Sequence, residues 1–220
     1  MKGTRLLVFD LDDTLFPERA YVASGFAAVD AWVRRVLGRV GFGAAATTLH
    51  REGRRGRIFD EALGRIGIAP TPALILRLVG IYRAHRPAIA LFPDVPPVLR
   101  AWRGRRAIVS DGPLLSQERK VQALDLARHF DPVLLTDRWG RTFWKPHARA
   151  FESLEAETGC AGPACAYVAD NPAKDFAAPR RLGWRTVRVR RPGGEHAGVD
   201  APGVADVECA GFERLLELVA

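Results

Sequence analysis

The chain has 220 residues, which suffices for one large domain or for a domain with a smaller one inserted, and which excludes a long multidomain assembly. Its 48% hydrophobic and 26% charged residues are typical of a globular protein and exclude a disordered chain. The net charge of +8, from 33 Lys+Arg against 25 Asp+Glu, indicates anionic partners, although the strong preference for arginine over lysine also fits the codon usage of a GC-rich genome.

The first predicted element is a strand at Arg5–Asp10, a short apolar run that ends in a carboxylate. The region after it is predicted to be helical. Apolar residues at spacings of three and four predict a long amphipathic helix from Pro17 to Val40, which Gly41 and Gly43 end. Three shorter helices are predicted at 44–52, 58–66 and 71–86, the last with Thr71 as its N-cap.

Short apolar runs return in the second half of the chain and alternate with helical stretches. Strands are predicted at 107–110, 133–136, 166–169 and 186–189, and helices at 116–129, 147–158 and 175–182. The Gly- and Pro-rich loop 192–203 is predicted to be mobile. This alternation predicts an α/β fold, a Rossmann-like doubly wound parallel sheet formed by residues 1–16 and 92–220, with an inserted α-helical domain at 17–91.

The sharpest chemical feature is the sequence Asp10-Leu11-Asp12-Asp13-Thr14, which follows the first predicted strand. In an open α/β sheet the carboxyl ends of the strands form the ligand crevice, so these acids are expected to surround a ligand. Three carboxylates in four residues repel one another unless a cation or a bound group offsets their charge.

Three further motifs follow predicted strands. Ser110, with Asp111 and Gly112 behind it, offers a hydroxyl and backbone N–H groups suited to a phosphoryl oxygen. Lys145-Pro146, before a predicted helix, holds one of the chain's four lysines, a compact cation that can enter the same crevice. Asp170 and Asp175 flank the fourth strand's loop, where they offer a ligand for a hard cation and a partner for Lys145.

Taken in order, these four motifs resemble the signature of the haloacid dehalogenase superfamily of phosphohydrolases. Its pattern is D-x-D-x-T after strand one, Ser or Thr after strand two, a Lys ahead of a helix, and an acidic pair after strand four. The matching residues are Asp10, Asp12, Thr14, Ser110, Lys145, Asp170 and Asp175. The resemblance spans nearly the whole chain, and it implies that the inserted helices are a cap domain of the C1 type.

The resemblance also implies a mechanism. Asp10 would attack phosphorus and form an aspartyl phosphate, while Asp12 would act as general acid and then as general base. Mg²⁺ would be held by Asp10, by the backbone carbonyl of Asp12 and by Asp170, with Asp175 orienting Lys145 or a metal-bound water. Ser110 and Lys145 would be catalytic residues that bind the transferring phosphoryl oxygens. The residues that bind substrate would be Leu11, Thr14, Ser110, Asp111, Gly112 and Lys145.

Residue 12 favours one reaction within the superfamily. Members that cleave carbon–halogen bonds lack the second aspartate, because a halide leaves without a proton, so Asp12 favours phosphate esters. The motif FDLDDTLFP resembles the branch that includes flavin mononucleotide and pyrimidine nucleotide phosphatases, and sugar phosphates remain open as substrates. A sugar phosphomutase shares the same aspartate and is an alternative.

Arginines in the inserted domain support a second alternative, a protein that binds nucleic acid or other anions with a non-catalytic core. No aromatic residues interleave them as a base-stacking surface would require, and a polyanion binder gains nothing from an acidic cluster. As contacts to the substrate's non-reacting part, the candidates are Arg54, Arg55, Arg57 and Arg86.

Cysteine spacing and hydropathy indicate the expected location of the protein in the cell. The 3 cysteines form neither a C-x-x-C pair nor a metal-binding spacing with histidines, and no run of about 18 apolar residues lacks a charge. We therefore expect a cytoplasmic protein with reduced thiols and without a signal peptide. We expect the partner to be a small phosphorylated substrate, and neither a membrane nor nucleic acid. The protein itself is expected to be a monomer or a homodimer.

Overall fold

The computed structural model describes residues 3–220, which form two compact units. One unit comprises residues 3–18 together with Ala90–Ala220, and the other, the helical unit, is Arg19–Ile89. The boundaries predicted from the sequence lie after residues 16 and 91.

A six-stranded sheet forms the centre of the first unit, with the strand order β3-β2-β1-β4-β5-β6. Every neighbouring pair of strands is parallel, which confirms the predicted doubly wound α/β fold. The strands are β1 (Leu6–Phe9), β2 (Arg105–Ser110), β3 (Val133–Leu135), β4 (Cys165–Ala169), β5 (Arg185–Val189) and β6 (Val207–Cys209).

Strand β1 lies between β2 and β4 and fixes the position of the first motif. All four residues of β1 are buried, as the continuous apolar run predicts. Its last residue, Phe9, is in register with Ile108 of β2 and Val168 of β4. The residues that follow these three strands therefore meet at one edge of the sheet.

Four helices make up most of the helical unit: α1 (Glu18–Leu37), α2 (Phe42–Arg51), α3 (Ile58–Arg65) and α4 (Pro72–Ala84). Helix α1 ends at Leu37 and not at Val40 as predicted, because Gly38 adopts a left-handed backbone with φ 63°. Helix α2 begins earlier than predicted, directly after Gly41. Helix α4 begins as predicted, since the Thr71 hydroxyl accepts a hydrogen bond from the Leu74 N–H at 3.2 Å.

An aromatic cluster packs the inside of the helical unit. Tyr82 of α4 contacts the rings of Phe26 and Phe59, and Phe59 in turn contacts Phe42. At Gly25 an added Cβ would lie 2.3 Å from the Tyr82 ring, so the close approach of α1 and α4 requires glycine there.

The remaining helices flank the sheet: α5 (Val95–Ala101), α6 (Leu114–Ala123), α7 (Arg149–Thr158), α8 (Ala177–Arg181) and α9 (Leu215–Leu218). Helix α6 is shorter than the predicted 116–129, because Asp125 adopts a left-handed backbone with φ 51° and a 3₁₀ turn follows at Leu126–Arg128. Helices α7 and α8 each begin two residues later than predicted. Across residues 3–220, no helix has both the length and the apolar content to cross a bilayer.

The loop at 192–203 is anchored, although its composition predicts mobility. The guanidinium of Arg188 is fully buried and donates to the carbonyl oxygens of His196 at 3.0 Å and Val199 at 2.7 Å. Arg190 Nε donates to the Ala197 carbonyl at 2.9 Å. These contacts come from β5 and the residue after it, so composition alone does not indicate them.

Candidate active site

Three carboxylates converge at the carboxyl edge of the sheet. Asp10 directly follows β1, and its backbone N–H donates to the Val168 carbonyl at 2.9 Å, which fixes the loop beside β4. Oxygens of Asp10, Asp170 and Asp175 all lie within 4.8 Å of one another, and all three residues are buried. The structure thus brings together the carboxylates of Asp10 and Asp170, which the resemblance assigns to the metal, and that of Asp175, which it assigns to Lys145 or a metal-bound water.

Burial makes the ionised form of this cluster costly. Burial and the neighbouring charges of Asp10 and Asp175 raise the pKa of Asp170 to about 9. Burial likewise raises the pKa of Asp175, although the charge of Lys145 works in the opposite direction. Clustered, buried carboxylate oxygens are the donor set that a hard divalent cation prefers, and the cation's charge would offset their repulsion. The residues present therefore fit such an ion.

Lys145 enters the same site from the loop ahead of α7. Its Nζ lies 2.8 Å from Asp10 Oδ1 and 2.7 Å from Asp175 Oδ1, and the side chain is fully buried. Burial alone would lower the pKa of Lys145, but the two carboxylates outweigh it and hold that pKa well above its ordinary value. The ammonium group therefore stays charged beside Asp10.

Tyr167 is a site residue that the sequence analysis missed. Its hydroxyl accepts a hydrogen bond from Lys145 Nζ at 2.9 Å and donates to Asp175 Oδ1 at 3.4 Å. Burial and the charge of Asp175 raise the pKa of Tyr167 well above its ordinary value, so the hydroxyl stays protonated. Because Tyr167 lies inside the apolar run of β4, its pattern is that of a core residue and carries no functional signal.

Two buried hydroxyl groups lie at this edge. Ser110 Oγ and Thr14 Oγ1 are buried, and neither has a hydrogen-bond partner among residues 3–220. A buried polar group left unpaired costs about 1–3 kcal/mol. Ser110 ends β2, the neighbour of β1, so its hydroxyl suits a ligand oxygen at the same edge.

Asp111 is predicted to bind substrate, but its carboxylate accepts hydrogen bonds from other groups of the protein. Its Oδ1 accepts from the Thr136 hydroxyl at 2.7 Å and from the Lys145 backbone N–H at 3.1 Å, and its Oδ2 accepts from Lys174 Nζ at 3.2 Å. Asp111 therefore ties the residues after β2, β3 and β4 to the loop that carries Lys145. Its neighbour Gly112 has φ 134°, a backbone conformation suited to glycine.

Asp12 faces a different group of residues from Asp10. Its carboxylate accepts hydrogen bonds from Lys120 Nζ at 2.7 and 2.8 Å and from Gln117 Nε2 at 3.1 Å. Neither Lys120 nor Gln117, both in α6, is among the predicted site residues. Two features of the sequence could have indicated them. Lysine is rare in this chain, and Gln117 and Lys120 are three residues apart, which places both side chains on one face of a helix.

Asp13, next to Asp12, connects two segments of the chain through hydrogen bonds to its carboxylate. Its carboxylate accepts the backbone N–H of Glu18 at 2.9 Å and that of Glu195 at 2.8 Å, so it joins the start of α1 to the loop after β5. Burial and the nearby charge of Asp12 raise the pKa of Glu18 to about 8. The side of the site next to Asp12 is therefore acidic, with Lys120 as a neighbouring cation.

The four arginines predicted to contact substrate lie in the helical unit and are exposed. Arg54 lies 3.6 Å from Glu61, and Arg57 lies 3.4 Å from Asp60. Arg55 donates to the carbonyl oxygen of Arg54 at 2.9 Å. These three residues share the loop between α2 and α3, whereas Arg86 follows α4.

Known proteins share both the sequence pattern and the fold. The family model for haloacid dehalogenase-like hydrolases matches residues 4–183. The chain is 24% identical over 225 residues to the glyceraldehyde 3-phosphate phosphatase of Methanocaldococcus jannaschii, covering 97% of this chain and 96% of that protein. It is 34% identical over 140 residues to the phosphoserine phosphatase of Thermus thermophilus, covering 62% of this chain and 55% of that protein.

A solved structure gives the same result for the fold. The 2-haloacid dehalogenase from Pseudomonas syringae matches with a TM-score of 0.66 at 23% identity, covering 98% of this chain and 97% of that one. At this identity the likeness shows a shared fold. Together with the family model, which matches most of the chain, it confirms the resemblance that the four motifs indicate. The chain belongs to the haloacid dehalogenase-like hydrolase family.

Proposed function

We propose that this hydrolase is a Mg²⁺-dependent phosphatase that cleaves a small phosphorylated metabolite through an aspartyl-phosphate intermediate. The observation that carries the proposal is the placement of two aspartates two residues apart. Asp10 lies beside a buried ammonium group, while Asp12 faces a separate set of donors. These different surroundings support one carboxylate as the nucleophile and the other as the acid and base. The phosphatase names of two relatives support the same chemistry.

The residues of this chain divide the reaction between them. Asp10 attacks phosphorus, the ester bond to the leaving oxygen breaks, and Asp12 donates the proton which that oxygen requires. Asp12 then accepts a proton from the water that cleaves the aspartyl phosphate. The charge of Lys145 offsets the negative charge of Asp10, and Lys145 with the unpaired Ser110 hydroxyl binds the phosphoryl oxygens.

A magnesium ion fits the acidic cluster. The carboxylates of Asp10 and Asp170 and the backbone carbonyl of Asp12 would hold the ion, and Asp175 would keep its contact with Lys145. When bound, Mg²⁺ supplies positive charge that stabilises the phosphoryl group during transfer. The oxygen donors suit Mg²⁺, because a small hard cation prefers carboxylate and carbonyl ligands.

The direct test is a panel of phosphorylated compounds assayed for release of inorganic phosphate with and without Mg²⁺. The panel contains nucleoside monophosphates, flavin mononucleotide, sugar phosphates, triose phosphates and phosphoserine. We expect at least one compound to be hydrolysed in the presence of Mg²⁺. No release from any of them would count against a phosphatase, and interconversion of sugar phosphates without release would favour the phosphomutase alternative.

The raised pKa of Asp170 predicts how Mg²⁺ binding changes with pH. Its pKa of about 9 lies above the ordinary 3.8, so between these values the folded metal-free protein holds a proton that the unfolded chain releases. The stability that this group contributes therefore falls as the pH rises towards 9, and Mg²⁺ binding displaces the proton. We expect the increase in melting temperature caused by Mg²⁺ to grow between pH 6 and pH 9, as measured by differential scanning fluorimetry.

Two variants control this measurement. Asp170→Asn should abolish most of the Mg²⁺-dependent shift, because it removes a charged ligand. Asp125→Asn should leave the shift unchanged, because Asp125 is exposed and asparagine tolerates its left-handed backbone. A Mg²⁺ shift of the same size at every pH would show that no ligand loses a proton on binding.

The helical unit is proposed to act as a cap of the C1 type whose arginines bind the non-reacting part of the substrate. Replacing a contacting arginine by Ala should lower kcat/KM for the native substrate by about tenfold or more, yet spare a small generic phosphate ester. The candidates Arg54, Arg55, Arg57 and Arg86 are each tested alone with both substrates. Loss of a surface ion pair costs at most about 1 kcal/mol, so the variants should fold.

The same experiment has a clear negative outcome. If all four variants keep their efficiency on the native substrate within about twofold, a difference near 0.4 kcal/mol, then other residues set specificity. The arginines between α2 and α3 would then reflect only the arginine-rich composition of the chain.

A further inference from the structure

Helix α6 holds the carboxylate of Asp12 from one face. Lys120 Nζ lies 2.7 Å from Asp12 Oδ1 and 2.8 Å from Oδ2, so one ammonium group contacts both oxygens. The Lys120 side chain is 4% exposed and the Asp12 side chain 19%, so this ion pair is largely shielded from water. A shielded, two-point contact constrains an aspartate more strongly than an exposed surface pair does.

Gln117, one helical turn before Lys120, adds a second restraint. Its Nε2 donates to Asp12 Oδ2 at 3.1 Å and to the Asp111 carbonyl at 2.7 Å. A Cβ at Gly112 would lie 2.4 Å from the same nitrogen, so glycine at 112 leaves the space that Gln117 occupies. Gln117 thus links Asp12 to the loop that follows Ser110.

Lys120 is itself held in place. Its Nζ lies 5.9 Å from the centre of the Phe16 ring, which is fully buried. Its charge also acts on Glu18, because it works against the burial that raises the pKa of that carboxyl. The largely buried side chain of Lys120 therefore packs beside the loop after β1, and its charge acts on the first residue of α1.

We propose that Lys120, assisted by Gln117, is a positioning residue that holds the carboxyl group of Asp12 in the orientation needed to reach the leaving-group oxygen. The proposal rests on the function proposed above, in which Asp12 is the general acid and base. A carboxyl group accepts a hydrogen bond from Lys120 in either protonation state, because one oxygen remains an acceptor. Misplacement of a reacting group by about 1 Å can cost about a hundredfold in rate.

This role predicts a loss that depends on the leaving group. In Lys120→Met the carboxylate of Asp12 loses the contact that orients both oxygens. Proton donation matters most for an alkyl phosphate and least for p-nitrophenyl phosphate, whose leaving group departs readily without a proton. We expect kcat for the alkyl ester to fall about tenfold more than kcat for the aryl ester, with KM changed by less than about threefold.

Three further variants complete the test, each assayed as the full chain with Mg²⁺. Lys120→Arg should restore most of the alkyl-ester rate, because it keeps a cation at the site. Lys120→Gln keeps a donor and replaces the Met variant if that variant does not fold. Arg128→Met is the control, since this exposed cation lies just beyond α6 and should leave both rates unchanged.

A double variant separates positioning from general destabilisation. If Lys120 acts through Asp12, adding Lys120→Met to Asp12→Asn should change kcat by less than about twofold. A further loss of tenfold or more in the double variant would overturn the proposal, and so would equal losses on the two esters in the single variant. If the wild-type protein hydrolyses neither ester, the proposed phosphatase function fails and the positioning role fails with it. If wild type is active and Asp12→Asn alone discriminates between the esters, only the role of Lys120 is wrong.

Discussion

Asp10→Asn is expected to lower kcat by about a thousandfold or more, the scale seen when a covalent nucleophile is removed. An amide has no negative charge with which to attack phosphorus, although it has nearly the same volume as the carboxylate. The fold should tolerate the change. The variant weakens a buried contact to Lys145, but it also removes a negative charge that lies within 4.8 Å of Asp170 and Asp175.

The measurement pairs steady-state hydrolysis with trapping of the intermediate. Wild-type protein incubated with labelled substrate and quenched in acid should retain a phosphoryl group on Asp10, whereas Asp10→Asn should retain none. The melting temperature of Asp10→Asn should stay within a few degrees of that of the wild type. Activity above about a tenth of wild type, in a variant that folds normally, would show that Asp10 is not the nucleophile.

The sheet could be predicted because its central strands carry a strong local signal. Strands β1 and β4 are fully buried, so their sequences are continuous apolar runs that periodicity analysis detects. Strand β6 has no such signal: it has three residues, and its middle residue, Glu208, is exposed and pairs with Arg188 of β5. Helix α5 also gives little local signal, since it has only 7 residues, too few to show a helical period.

The site was predictable wherever its residues follow strands. The sheet's topology carries Asp10, Ser110 and Asp170 to one edge, so strand ends in the sequence are enough to group them. The partners of these residues lie elsewhere. Tyr167 is hidden within a core strand, and Lys120 reaches Asp12 across 108 positions of the sequence. The sequence can place Gln117 and Lys120 on one face of a helix, but their contact with Asp12 depends on how α6 packs, which local sequence does not specify.

Asp12→Asn is expected to have the second largest effect and to differ from Asp10→Asn in two ways. It should lower kcat for an alkyl phosphate by about 10² to 10⁴ fold, because an amide cannot transfer the proton, while an activated aryl phosphate should lose much less. It should also lower stability. In the variant an amide NH₂ group takes the place of one carboxylate oxygen. Because Lys120 donates to both oxygens and Gln117 donates to Oδ2, the NH₂ group faces a hydrogen-bond donor in either orientation.

That mismatch costs about 1–3 kcal/mol, the penalty for a buried polar group without its partner. Urea unfolding of Asp12→Asn should therefore show a lower free energy of unfolding than that of Asp10→Asn, where loss of the Lys145 contact is offset by relief of repulsion. The kinetic comparison uses the fraction of protein that is folded, so that lost stability is not counted as lost catalysis. If the alkyl and aryl phosphates lose the same factor after this correction, Asp12 does not supply the proton. Glu18, whose pKa burial and the charge of Asp12 raise to about 8, is then the next group to test.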